Sequence, residues 1–129
     1  RKKFISNAKT SKLQGIHIHC PEGAVPKDGP SAGTAITVCV YSLINKKKIK
    51  NDIAITGEIN LQGKVTQIGG LHLKILGGIR AGVKTFIYPK TNQRDYDKFY
   101  EKQLDKTIFD GIKFISVDNI QEVFNHVFI

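Results

Sequence analysis

Ser31 has the surroundings of an activated hydroxyl. It lies in Pro26-Lys27-Asp28-Gly29-Pro30-Ser31-Ala32-Gly33, and a long apolar helix pattern follows. Gly29 and Gly33 leave the backbone bare, so another chain can come close. Pro30 suits a first helical turn, where its missing N–H costs nothing. Free N–H groups and the helix dipole at such a start both favour negative charge. A serine there has what acyl transfer needs: an exposed nucleophile beside donors for an oxyanion. The same position is also that of an ordinary helix cap. Gly29-Pro30-Ser31-Ala32-Gly33 shares the outline of a Gly-x-Ser-x-Gly elbow. A turn-rich loop, Glu22–Asp28, precedes it where the elbow requires a strand.

A serine nucleophile needs a base. The chain has four histidines, His17, His19, His72 and His126, but no Ser-His-Asp arrangement is evident. The alternative is a lysine held neutral by burial. Lys74 qualifies. It lies within Gly69–Gly82, a short helix pattern between glycines, with Leu71 and Gly78 as helical neighbours and Ile75 beside it. Lys74 therefore sits inside the apolar stripe. It either snorkels to solvent or is desolvated, and desolvation would lower its pKa and free a neutral amine.

The elements that must position these groups read as alternating strands and helices. Residues 15–20 alternate as a strand with His17 and His19 on one side. His-x-His spacing suits a metal, but no third ligand is near, and hydrogen-bonded structural histidines are the plainer reading. Residues 21–29 form a loop. Residues 31–46 form a helix whose buried face would be Ala32, Ile36, Val40, Leu43 and Ile44, with Cys39 a buried thiol in the same pattern. Residues 52–59 read as one strand leading into a turn, and 61–68 as a hairpin return around Gln62-Gly63. The lysine helix spans 70–81 and stops at Gly82. A buried-type strand spans 85–88 before Pro89, a surface helix 91–104, and a strand 112–117. Asp118-Asn119-Ile120-Gln121 opens a last helix with a capping-box pattern. This order predicts layered α and β structure with some parallel pairing.

Together these motifs resemble a family. The segment His17-Ile18-His19-Cys20 through Gly33 resembles that around the catalytic serine of Lon proteases, in the bacterial and mitochondrial form. Thr56-Gly57-Glu58-Ile59-Asn60-Leu61-Gln62-Gly63-Lys64-Val65 is similar to the second block of that family. Ile68-Gly69-Gly70-Leu71 through Lys74, with Arg80-Ala81-Gly82-Val83-Lys84, is similar to the third. The order and spacing of the blocks agree, and the resemblance covers residues 15–129. It implies an α+β proteolytic-domain fold, helices packed on a mixed sheet. It implies Ser31 as nucleophile, Lys74 as general base and Thr56 as the hydroxyl that orients the amine. His17, His19 and Asp28 fall on residues that recur near the active site. Departures are His72-Leu73, where the family usually has lysine and glutamate, and Gly77-Gly78, where it usually has alanines. Each glycine should weaken the helix by about 1 kcal/mol.

The resemblance further implies a serine endopeptidase that degrades unfolded or misfolded proteins. ATP and Mg would be bound by an upstream ATPase domain of the full-length protein, with no cofactor or metal in this chain. Six copies would form a ring. Residues 1–14 match none of the motifs. Because family domains begin several strands earlier, the chain is expected to be a fragment, a divergent short form or the ordered part of a longer protein. A truncated relative that assembles without cleaving is the alternative.

Composition fits this picture. The 129 residues suggest a single domain. The net charge of +9 gathers at Arg1-Lys2-Lys3 and at Lys46-Lys47-Lys48 with Lys50. No aromatic residues interleave with those lysines, so nucleic-acid binding is not expected. No apolar run could span a membrane, and no signal peptide is evident. Two cysteines, Cys20 and Cys39, make no disulfide framework. They fit a reducing, intracellular compartment; the resemblance makes it cytoplasm or mitochondrial matrix. Neither a Walker-type phosphate loop nor a dinucleotide fingerprint is present.

Overall fold

A computed structural model describes residues 31–129. The readings for His17, His19, Cys20 and Asp28, and for the strand and loop that carry them, lie outside the described residues. In chain order the elements are α1 (Gly33–Asn45), β1 (Ile53–Ile55), β2 (Glu58–Ile59), β3 (Val65–Thr66) and α2 (Leu71–Arg80). They continue with β4 (Thr85–Pro89), a 3-10 turn (Lys90–Asn92), α3 (Gln93–Lys102), a second 3-10 turn (Lys106–Phe109), β5 (Lys113–Val117) and α4 (Ile120–Val127).

β4 is the centre of a three-stranded parallel sheet of order β1-β4-β5. Ile53 pairs with Thr85 on one side, and Thr85 with Lys113 on the other. As the central strand, β4 is covered on both faces, and its residues go alternately to each. Phe86 and Tyr88 join Ile68, Leu71, Ile75, Phe99 and Phe109 beneath α2 and α3. Ile87 joins Val38, Val65, Val117, Val123 and Val127 beneath α1 and α4. The result is helices, sheet, helices in layers. A separate antiparallel hairpin, β2–β3, makes the fold α+β. Its turn is built by Asn60, whose Oδ1 accepts from the N–H of Gln62 at 3.0 Å and of Lys64 at 2.9 Å. The last helix starts as its sequence predicts. Asn119 Oδ1 accepts from Glu122 N–H at 3.0 Å, and Glu122 reaches back to Asp118 N–H at 3.0 Å.

Three expectations are corrected. The strand expected over 52–59 is broken at Thr56-Gly57 into β1 and β2, which belong to different sheets. Gly57 takes φ +149°, and a Cβ there would stand 2.6 Å from Val65 Cγ1, so the chain turns out of the parallel sheet where only glycine fits. The buried positions of α1 are Thr34 and Val38, while Ala32 and Ile44 are exposed. Tyr41, one turn on, stacks on Phe124 of α4 at 4.2 Å between ring centroids. Cys39 is exposed, because it follows Val38 and lies about 100° round the helix from the buried face.

Candidate active site

The site is assembled from the start of α1, the break after β1 and the middle of α2. Ser31 lies in the turn before α1, and its carbonyl accepts from Gly57 N–H at 2.9 Å. Gly57's own carbonyl accepts from Thr34 N–H at 3.1 Å and from Thr34 Oγ1 at 2.9 Å. Thr56, just past the end of β1, is tied to β4 by its N–H to Ile87 O at 3.0 Å. Ser31 and Thr56 are thereby held side by side, although they lie in different elements.

Lys74 arrives from α2. That helix starts at Gly70, in the left-handed region at φ 67°, whose carbonyl accepts from Leu73 and Lys74 N–H. The loop before it is pinned by Asn92, which is 1% exposed. Asn92 accepts from Ile68 N–H at 2.9 Å and donates to Ile68 O at 3.0 Å. Leu71 and Ile75 anchor α2 in the core, which turns Lys74 toward β1.

The Lys74 amine donates to Ser31 Oγ at 2.6 Å and to Thr56 Oγ1 at 3.3 Å. The structure thus brings together Ser31, Lys74 and Thr56, with the lysine half-buried. They open on a cleft of about 420 Å³, lined also by Ala35, Ala54, Gly77, Gly78, Val83 and Phe86. Among the described lining residues Lys74 is the charged one, so the cleft presents an apolar wall beside a polar edge. A serine hydroxyl at hydrogen-bond distance from an amine, itself held by a second hydroxyl, is a geometry that suits proton abstraction and acyl transfer. Among the described residues no group of histidine, cysteine and carboxylate side chains could hold a metal ion. No helix among them is long and apolar enough to cross a membrane.

Thr34 and Asn92 hold the site without being legible as site residues. Thr34 is a small polar residue within an apolar helix pattern. Asn92 precedes α3 and reads as a helix cap, yet its side chain bridges to Ile68 in another segment. His72, the departure beside Lys74, is exposed on α2 and lines a separate cavity toward Asp95, Lys98 and Lys102 of α3.

Comparison with known proteins extends this picture. The family model described as "Lon protease (S16) C-terminal proteolytic domain" matches residues 1–129, so it takes in residues 1–14, which the motifs left unplaced. A Lon protease of Clostridium acetobutylicum is 46% identical over 118 residues, covering 92% of this chain and 14% of the relative. The Lon protease of Buchnera aphidicola subsp. Schizaphis graminum is 47% identical over 108 residues, covering 84% of this chain and 13% of the relative. A mitochondrial Lon protease homolog of Candida dubliniensis is 47% identical over 113 residues, covering 88% of this chain and 10% of the relative. The chain spans 10–14% of the length of these relatives. With a match over its whole length and identities of this size, the chain belongs to the family of Lon protease C-terminal proteolytic domains.

Proposed function

We propose that this chain is a serine endopeptidase domain in which Ser31 is the nucleophile and Lys74 the general base. The observation that carries the reading is the 2.6 Å separation of Lys74 Nζ and Ser31 Oγ. A neutral amine takes the hydroxyl proton as Oγ attacks the scissile carbonyl. Lysine has no second nitrogen for a carboxylate to anchor, so its direction must come from hydroxyls and carbonyls around it. Thr56 supplies one such hydroxyl, 3.3 Å from the amine. The lysine then returns the proton to the leaving amine, and water resolves the acyl-enzyme by the same route. Oxyanion stabilisation falls to backbone N–H groups of the turn that carries Ser31. Thr34 N–H is not among them, because it is committed to Gly57 O. The apolar wall of the cleft receives a side chain of the polypeptide.

In the full-length protein this domain would act on unfolded polypeptide delivered by an ATP- and Mg-dependent module upstream. The domain would work as part of a homohexameric ring in the cytoplasm or, in a eukaryote, the mitochondrial matrix. No nucleic-acid or membrane partner is proposed. His17, His19 and Asp28 remain proposed neighbours of the site on sequence grounds.

The test is covalent labelling of the full-length protein with a serine-reactive diphenyl phosphonate. The expected adduct is on Ser31, and Ser31→Ala should lose both the adduct and peptide hydrolysis while unfolding at the temperature of the parent. Hydrolysis that survives Ser31→Ala would sink the mechanism. A parent that assembles but neither labels nor cleaves would support a purely structural domain.

A further inference from the structure

Thr34 is wholly buried, 0% exposed, and its hydroxyl takes no part in the chemistry described above. It is nonetheless joined to that chemistry through one residue. The hydroxyl and the N–H of Thr34 both donate to Gly57 O, at 2.9 and 3.1 Å. Gly57 N–H runs the other way, to Ser31 O, at 2.9 Å. These bonds tie the segment carrying Ser31 to the segment carrying Thr56 in both directions, across 23 residues of sequence for the Thr34 hydroxyl. Thr37 offers a contrast on the same helix: its hydroxyl bonds Gly33 O, four residues back, a local contact that joins nothing else.

Two donors from one residue on one carbonyl fix direction as well as distance, whereas the N–H alone would act as a pivot. Room for adjustment at Gly57 is small. Its backbone stands at φ +149°, with space only for a hydrogen between Val65 Cγ1 and Thr34 Oγ1. The Lys74 amine must meet Ser31 and Thr56 together, at 2.6 and 3.3 Å. A small slip of either segment would leave it with one hydroxyl instead of two.

We propose that the buried Thr34 hydroxyl is a positioning residue, which through Gly57 sets the spacing of Ser31 and Thr56 that the Lys74 amine spans. The inference rests on the dyad reading. It is tested in the full-length protein with Thr34→Val, which keeps the shape and loses the hydroxyl, and Thr34→Ser, which keeps the hydroxyl. In Thr34→Val, kcat for peptide hydrolysis should fall about tenfold or more with KM within about twofold, because the reacting groups are displaced and the cleft is not. Phosphonate labelling of Ser31 should slow in parallel, and Thr34→Ser should recover most of the rate. If Thr34→Val does not fold, Thr34→Ser and Thr34→Ala, which differ by one hydroxyl, give the same comparison.

An unchanged kcat in Thr34→Val, or an equal loss with and without the hydroxyl, would overturn the inference while leaving the dyad standing. An active parent with no adduct on Ser31 would overturn the dyad and this inference with it.

Discussion

At the scale of single residues, the site depends on an amine placed between two hydroxyls. On the dyad reading, Lys74→Arg keeps a long cationic side chain, but guanidinium stays protonated and cannot act as the base. Peptide hydrolysis should be abolished, with the fold retained by circular dichroism. Thr56 is 6% exposed, and Thr56→Val preserves its shape. Turnover should fall by about an order of magnitude or more, with KM nearly unchanged, because the lysine loses a fixed direction. Turnover equal to the parent's would show that another group orients the amine.

At the scale of elements, α2 is the part of the site most open to adjustment. Gly77 and Gly78 follow Lys74 on the face toward the cleft. A Cβ at Gly77 meets nothing within 4 Å, whereas one at Gly78 would stand 3.2 Å from Phe86 Cδ2. Gly77→Ala should therefore stabilise the domain by about 0.5–1 kcal/mol. Gly78→Ala should gain less or lose stability, since the Phe86 ring would have to shift. Thermal denaturation of the two variants measures the difference, and equal gains would contradict the close packing of Gly78 on Phe86.

The same comparison shows what the sequence could reveal. The 71–80 helix, the Asn60–Lys64 turn and the Asn119 cap are written in neighbouring residues, because glycine, Asx turns and caps act locally. The meeting of Ser31 and Lys74 was legible because both lie in long motifs. The break at Gly57, the roles of Thr34 and Asn92, and the exposure of Cys39 were not. The break and the two roles depend on a residue in another element, such as Val65 for Gly57 and Ile68 for Asn92, and the exposure of Cys39 depends on which face of α1 is buried.

At the scale of the whole molecule, pH acts on the fold. Tyr88 of β4 and Tyr96 of α3 stack at 5.3 Å. Burial holds both phenols above the ordinary tyrosine value, opposed in Tyr88 by its hydrogen bond to Gln93. The folded state thus favours their neutral form. Near neutrality both states keep the protons. As pH rises past about 10, the unfolded chain gives them up first and stability falls. The melting temperature should decline through that range, and more gently in a Tyr88→Phe, Tyr96→Phe double variant. An identical decline would place the alkaline sensitivity elsewhere.

The central place of β4 has a consequence for how the molecule comes into being. β1 pairs with β4 only after the chain has passed through the hairpin and the whole of α2. Lys74 rides on that crossover, 43 residues from Ser31 and 18 from Thr56. Thr56 is tied to Ile87 of β4, beyond all three groups in sequence, and parallel pairing of this kind forms late because loop closure precedes its reward. A chain leaving the ribosome, or one half refolded, carries its serine and lysine apart. On the dyad reading it cannot cut itself or its neighbours while their backbones are still exposed. In refolding from denaturant, phosphonate labelling should appear only with the slowest folding phase, after α2 and α3 have regained their helical signal.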